Sequence, residues 1–282
     1  MRLVHSFNTR PLSIDCYGVA PLTRLAGNIW YNSLSVAYAK ASGATIVLHA
    51  DSLGAALLGH LPYDETHLTL DDMPRGLHPR FWAAGKMWAL EAEAAGSVHI
   101  DGDVFIKRPE LLSDIEDSEW DFIAQHYESS EWYEKECVLF DAHPWVCLSR
   151  GIDPHRHGAY NTGVIGFRDA ALKDRYITSY KEAAVELSGL CWQMLASSPG
   201  LTPDVILEQR HAYQLCQSSG ADVKLLLPLD SCHGARAAAI GFQHVLTSAK
   251  FSHLDKCRTA LRRLSPQIYE KTERLCRNIL KN

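Results

Sequence analysis

Apolar and polar positions along this chain fall into blocks that predict strands and helices in turn. Residues 3–7 are mostly apolar and read as a first strand. Residues 28–41 repeat their apolar positions at helical spacing, with Asn28 as the expected cap and Gly43 as the stop. Residues 45–49 (TIVLH) form a short buried strand closed by Asp51, 53–58 a short helix and 67–70 a further strand. A helix over 81–95 stops at Gly96 and leads into the apolar Val98 and Ile100. This βαβα rhythm predicts a parallel sheet with helices on its faces. After Pro109 the pattern loosens, with a strand at 121–124, a loop then a strand over 160–167, and a long helix over 170–187. A helix over 203–218 buries Ile206, Ala212, Tyr213 and Cys216, and a strand follows at 223–227. The last predicted helix, 266–280, has Ser265 as cap, proline in its first turn and Ile268, Leu275 and Ile279 as its buried stripe. No internal repeat or low-complexity tract is present.

The chemistry gathers where the strand at Val98 ends, in VHIDGDVFIKR. Ligands of open α/β sheets bind at the carboxyl ends of strands. Residues i and i+2 of an extended chain point the same way, so Asp101 and Asp103 converge on one object, and Gly102 lets the backbone approach it. Converging carboxylates repel unless a cation lies between them, and hard Mg²⁺ or Mn²⁺ suits oxygen ligands and substrate phosphates. A plain surface turn is the alternative. An EF-hand loop is excluded, because Phe105, Ile106 and Leu112 stand where an oxygen ligand, glycine and glutamate belong. A DxDxT phosphohydrolase is excluded by Phe105 in the threonine position.

Composition narrows the reading further. The chain has 282 residues, 46% hydrophobic, with net charge −5, so it builds a sizeable core and is not a general nucleic-acid binder. Its opening residues read as strand, not as a signal peptide, and no apolar run approaches the roughly 20 residues of a membrane span. Eight scattered cysteines without a CxxC pair predict free thiols and a cytoplasmic protein.

Other residues carry two readings each. Ser6 and Asn8, at the end of the first strand, either start a loop or face a base and ribose. Lys86 either snorkels to solvent or meets a phosphate or sugar. Asn161, within YNTGVIGF, either turns the chain or bonds sugar hydroxyls. Glu208 and Gln209 interrupt an apolar helix face and are either solvated or functional. His143, His155 and His157 with Cys147 match no zinc spacing, so residues 109–154 are expected to be an irregular acceptor-binding insertion. The basic terminal helix, with Lys271, Arg274, Arg277 and Lys281, presents a solvated face or touches an acidic membrane surface.

Taken in order, FWAAGK, HIDGDVF, YNTGVIGF, ILEQ and FSHLDKCR make the chain resemble GT-A fold nucleotide-sugar glycosyltransferases. It looks closest to bacterial glycosyltransferase-like proteins. More distantly it is similar to family 8, the glycogenin and lipopolysaccharide galactosyltransferase group. The resemblance implies one GT-A domain, a Rossmann-like and mostly parallel sheet flanked by helices. Residues 1–108 would form its nucleotide half, 109–250 its acceptor half and 251–282 a lid and helix. It implies a metal-dependent, retaining transfer of sugar, with Mn²⁺ or Mg²⁺, from a UDP-sugar to a carbohydrate, lipid-linked sugar or protein. Asp103 and Asp101 would hold the metal with His253, for which His244 is the rival, because His253 lacks the Gly and Pro of the family's terminal motif. Lys86 and Lys256 or Arg258 would meet phosphate, Asn161 the sugar or acceptor, and Glu208 and Gln209 the anomeric carbon. A nucleotidyltransferase is the chemical alternative, although 3–20 carries no Gly-rich basic loop. A non-catalytic binding protein of the same fold is the other.

Overall fold

The structure is a computed structural model that describes residues 1–13, 19–129, 131–198, 201–227, 233–245 and 252–281. Cys16 and Cys232 lie outside the described residues; the other six cysteines are free thiols, all buried. In chain order the first elements are β1 (Arg2–Phe7), α1 (Pro21–Ala41), β2 (Thr45–Ala50), α2 (Ser52–Leu58), β3 (Glu65–His67), α3 (Ala84–Ala92), β4 (Val98–Ile100), β5 (Val104–Ile106), α4 (Pro109–Asp117) and β6 (Phe122–Glu128). There follow α5 (Val138–Ala142), α6 (Pro144–Leu148), β7 (Ala159–Phe167), α7 (Ala170–Ser197), α8 (His211–Ser219), β8 (Val223–Leu225), α9 (His233–Ala239), β9 (Phe242–His244), α10 (Leu254–Leu264) and α11 (Pro266–Lys281). The chain is mixed α/β, and its seven-stranded, mostly parallel sheet is accompanied by helices as the βαβα rhythm predicts.

Two compact units divide the chain, Met1–Asp71 with His99–Ser118 and Ser231–Asn282, and Asp72–Val98 with Glu119–Asp230. In the first unit the sheet order is β3-β2-β1-β4. β1 and β2 are parallel, Arg2 facing Thr45 and Phe7 facing Ala50, and β2 and β3 continue in the same sense. Leu3, Val4, Ile46, Val47 and Leu48 are fully buried, which fixes this register by burying one set of side chains on each face. The expected strand at 67–70 lies two residues earlier, and a 3-10 turn follows it (Thr69–Asp72).

Helix α1 begins well before Asn28, with proline in its first turn. Asn28 is interior, and its amide donates to the Arg24 carbonyl one turn back, at 2.9 Å. The terminal helices pack on α1: Cys257 and Cys276 turn their thiols toward the Trp30 and Ala26 carbonyls, and Thr272 bonds Ser33 at 3.0 Å. The stripe that α11 buries is therefore Thr272 and Cys276, one turn apart, while Ile268, Leu275 and Ile279 are half-buried beside it. No described helix is long and apolar enough to cross a membrane.

His5 sits inside β1 with no exposure, bonded to Tyr63 at 3.0 Å and to Ser35 at 3.1 Å. Burial lowers its pKa to about 3, against a raising effect of the Asp103 charge. The unfolded chain takes up this proton near pH 6.5 and the folded chain does not, so stability is full above that pH and falls as pH drops toward 3. At pH 4 this one group should cost about 3 kcal/mol. His5→Gln keeps a hydrogen-bonding side chain but cannot titrate. Denaturant melts from pH 6.5 to 4 should give a slope shallower by up to about 1.4 kcal/mol per pH unit in this variant; equal slopes would contradict the assignment.

In the second unit the sheet order is β7-β6-β8. β7 is buried at all nine positions, so the stretch expected to open as a loop is strand throughout. β6 pairs antiparallel with β7, with an irregular step between Ala124 and His126, and parallel with β8. It runs to Glu128, four residues past its expected end. The region after Pro109 contains three helices, α4, α5 and α6, that the sequence pattern did not single out. The expected helix over 203–218 is a π-turn (Ile206–Arg210) that passes into α8. Such turns carry an extra residue and often mark functional positions.

Candidate functional site

In the first unit, the short β4 ends and Asp101-Gly102-Asp103 leads into β5. Asp103 is buried and Asp101 half-buried. Gly102 lies against α1: a Cβ there would come within 2.4 Å of the buried Asn32 side-chain amide, which would have to move to admit any larger residue. β5 pairs antiparallel with β9, which sets Val104 opposite His244, and the Val245 amide donates to the Asp103 carbonyl at 3.1 Å. This ribbon brings the His244 ring to 3.4 Å from the Asp103 carboxylate. One ligand atom each from Asp101, Asp103 and His244 lies within 4.8 Å of the other two. Two carboxylates and an imidazole at that separation fit a divalent cation.

His99 supports this group and was missed in the sequence, although strand alternation sets it on the same side as Asp101. Its Nδ1 lies 3.7 Å from Asp101, and its Nε2 bonds Ser6 at 2.9 Å. Ser6 thus reaches Asp101 through His99. Asn8 accepts the Arg10 amide at 3.1 Å and so shapes the turn after β1. His253 stands at the head of α10, outside the group of Asp101, Asp103 and His244; Lys256 is exposed on the same helix. The β5–β9 pairing carries His244, the rival considered for His253, to the aspartates.

The second unit has its own polar centre. Lys86, on α3 and 4% exposed, donates to Glu208 at 2.6 Å and to the Thr162 carbonyl at 2.7 Å. It neither snorkels nor lies on the surface. Glu208, 2% exposed on the π-turn, also has its carbonyl bonded by Tyr176 at 2.9 Å. Next to it, burial and the Glu208 charge push the Asp204 carboxyl well above the usual carboxylate range, against bonds from Tyr180 and the Ala83 amide.

A third carboxylate, Glu128 at the end of β6, accepts from Asn161 at 2.8 Å and Tyr133 at 2.6 Å, and lies 3.1 Å from His126. Burial raises its pKa, but these bonds and the His126 charge outweigh that and hold it at about 2, so it stays ionised. Tyr133 also touches the Gln209 amide. One hydroxyl has one proton, and the ionised Glu128 takes it. Gln209 Oε1 lies 2.5 Å from that hydroxyl. The unit thus holds an ionised carboxylate, an asparagine and a glutamine, groups that bond hydroxyls. Asn161 is in this cluster; Glu128, His126 and Tyr133 were not picked out from the sequence, where β6 ended before them.

A family described as a family of unknown function (DUF6734) matches residues 1–275. No curated protein matches the sequence. Among solved structures, the chain is similar to galactosyltransferase LgtC in complex with donor and acceptor sugar analogs. The identity is 10%, the TM-score 0.42, and 94% of this chain and 96% of that one are covered. It is also similar to an active-site mutant of LgtC, at 10% identity and TM-score 0.36, covering 80% and 72% of the two chains.

Proposed function

The chain belongs to the DUF6734 family, and for it we propose metal-dependent transfer of a sugar from a nucleotide diphosphate sugar, UDP-linked, to a sugar, lipid-linked sugar or protein acceptor. The observation that carries this reading is the convergence of Asp101, Asp103 and His244 at the end of a sheet strand. The ordered motifs that resemble GT-A glycosyltransferases support it. Asp101, Asp103 and His244 would hold Mn²⁺ or Mg²⁺, which would supply positive charge where a diphosphate leaving group becomes negative. His99 orients Asp101, and Asn32 packs against Gly102 to keep the two carboxylates pointing together.

In the second unit, Asn161 and Glu128 take sugar hydroxyls. Gln209, more open than Glu208, offers its side-chain amide to the transferred sugar. Glu208, held by Lys86, lends its negative charge to the anomeric carbon of that sugar. A buried carboxylate fixed by a lysine is a poor proton acceptor, which favours a retaining outcome over an inverting one with Glu208 as base. Ser6 and Asn8 shape the strand end on the nucleotide side, and Lys256 or Arg258 contacts phosphate.

A thermal-shift screen of nucleotide sugars, each with and without Mn²⁺, tests the reading. A UDP-sugar should raise the melting temperature only when Mn²⁺ is present, since a ligand of the native state stabilises it. Stabilisation by a nucleoside triphosphate, with pyrophosphate released on turnover, would point to nucleotidyl transfer instead. Metal-dependent binding with neither transfer nor hydrolysis would leave a carbohydrate-binding protein.

A further inference from the structure

A second group of side chains able to ligate a metal lies in the second unit, after β6. Glu134 and Cys137 are three residues apart on a 3-10 stretch (Glu131–Glu136) that runs into α5, so they share a face. Asp141 follows one turn later. The loop that returns from α6 brings His155 to them. One ligand atom each from Glu134, Cys137 and His155 lies within 4.8 Å of the other two. Of the histidines considered in the sequence, only His155 belongs to this group; His143 packs instead against Trp145.

The supporting bonds turn His155 Nδ1 and Glu134 Oε2 toward each other, and the Cys137 thiol donates to the Pro154 carbonyl at 3.0 Å in the metal-free protein. His155 gives its Nε2 to Asp141 at 2.6 Å, which turns Nδ1 toward Glu134 Oε2 at 4.0 Å. A carboxylate behind a histidine in this way fixes the tautomer and makes the inner nitrogen a better ligand. Glu134 is held by its other oxygen, Oε1, which takes Arg210 Nη2 at 2.7 Å and leaves Oε2 for a ligand role. Arg210, buried, also sets Nη1 at 3.6 Å from the Cys137 sulfur, where it favours a thiolate. We propose that Glu134, Cys137 and His155 form a second metal site, for a borderline-soft divalent ion such as zinc.

The donor set is what separates it from the Asp101–Asp103 group. A thiolate and an imidazole prefer zinc or cobalt, whereas two carboxylates prefer magnesium or manganese. Thiolate and carboxylate together neutralise the ion. Burial pushes the Cys137 thiol up to about 11, so it carries its proton in the metal-free protein and releases it to solvent on binding. Three protein ligands leave a fourth position of a tetrahedral ion for water.

Cobalt reports on this directly, because a sulfur-to-cobalt charge-transfer band requires a thiolate ligand. Titrating the full chain with Co²⁺ should produce that band, with the strong visible bands of four-coordinate cobalt, saturating at one equivalent, and excess Mn²⁺ should not remove it. Cys137→Ser should abolish the band. His155→Ala and Asp141→Asn alter exposed side chains that folding tolerates, and each should weaken cobalt binding at least tenfold. They decide the matter if the serine variant does not fold. No charge-transfer band in the wild type, or a band that survives His155→Ala and Asp141→Asn at unchanged affinity, overturns the proposal; the cluster would then be an Arg210-centred ion-pair network.

Discussion

Asp103→Asn should reduce Mn²⁺-dependent binding of UDP at least about 100-fold and abolish UDP-sugar hydrolysis, while far-ultraviolet circular dichroism stays unchanged. Asparagine keeps the shape of the buried side chain but removes the charge that balances a cation. The backbone bond from Val245 to the residue 103 carbonyl does not depend on the side chain, so the β5–β9 ribbon should survive. His244→Ala should weaken the same binding tenfold or more, the scale of a lost metal contact. His253→Ala should leave it within twofold, because His253, at the head of α10, lies outside the Asp101–Asp103–His244 group. Calorimetric titration of UDP with and without Mn²⁺ measures all three. Full activity in EDTA, or in Asp103→Asn, would end the metal reading. A loss in His253→Ala equal to that in His244→Ala would return the third contact to His253.

The contrast between these two histidines marks how far the sequence could be read. Asp101 and Asp103 were legible because an apolar lead-in and a period of two are properties of a few adjacent residues. The third partner is chosen by pairing between two three-residue strands, 104–106 and 242–244, too short to leave a hydrophobic pattern. Glu128 was hidden for a related reason. The register step between Ala124 and His126 interrupts the alternation, so the strand looked finished four residues early. Asn28 misled because its residue type suits a helix cap, yet Pro21 starts the helix two turns sooner and Asn28 bonds back along it. The parallel strands and their helices were readable as a rhythm; Lys86 and Glu208 were each visible, but a pair 122 residues apart is a fact of the fold alone.

That pair sets the largest expected effect on stability. Lys86→Met should destabilise the protein by about 3–5 kcal/mol at pH 7, since it leaves Glu208 buried without its cation. The cost falls on a site with little relief. The Glu208 carboxylate is almost wholly shielded from water, and Asp204 beside it is already pushed toward its neutral form by burial and by that same charge. The lost ammonium also leaves the Thr162 carbonyl without the donor it has in Lys86. Lys86→Arg keeps the charge but not the compact shape that reaches both acceptors, and should cost less than Lys86→Met. Glu208→Gln leaves a polar partner for the lysine and should fall between the two. Removing both charges in Lys86→Met with Glu208→Leu should recover much of the loss, because a well-packed apolar pair replaces a buried ion pair at little net cost. Urea melts of Lys86→Met, Glu208→Leu, the double variant and the wild type form a double-mutant cycle, and a favourable interaction of about 2–3 kcal/mol between the two positions is expected. A Lys86→Met cost below about 1 kcal/mol, the range of an exposed pair, would mean that water reaches Glu208 and that the carboxylate is open to act as a base. The double variant separates stability from catalysis, since regained folding without sugar transfer is the result expected if the charge on Glu208 serves the reaction.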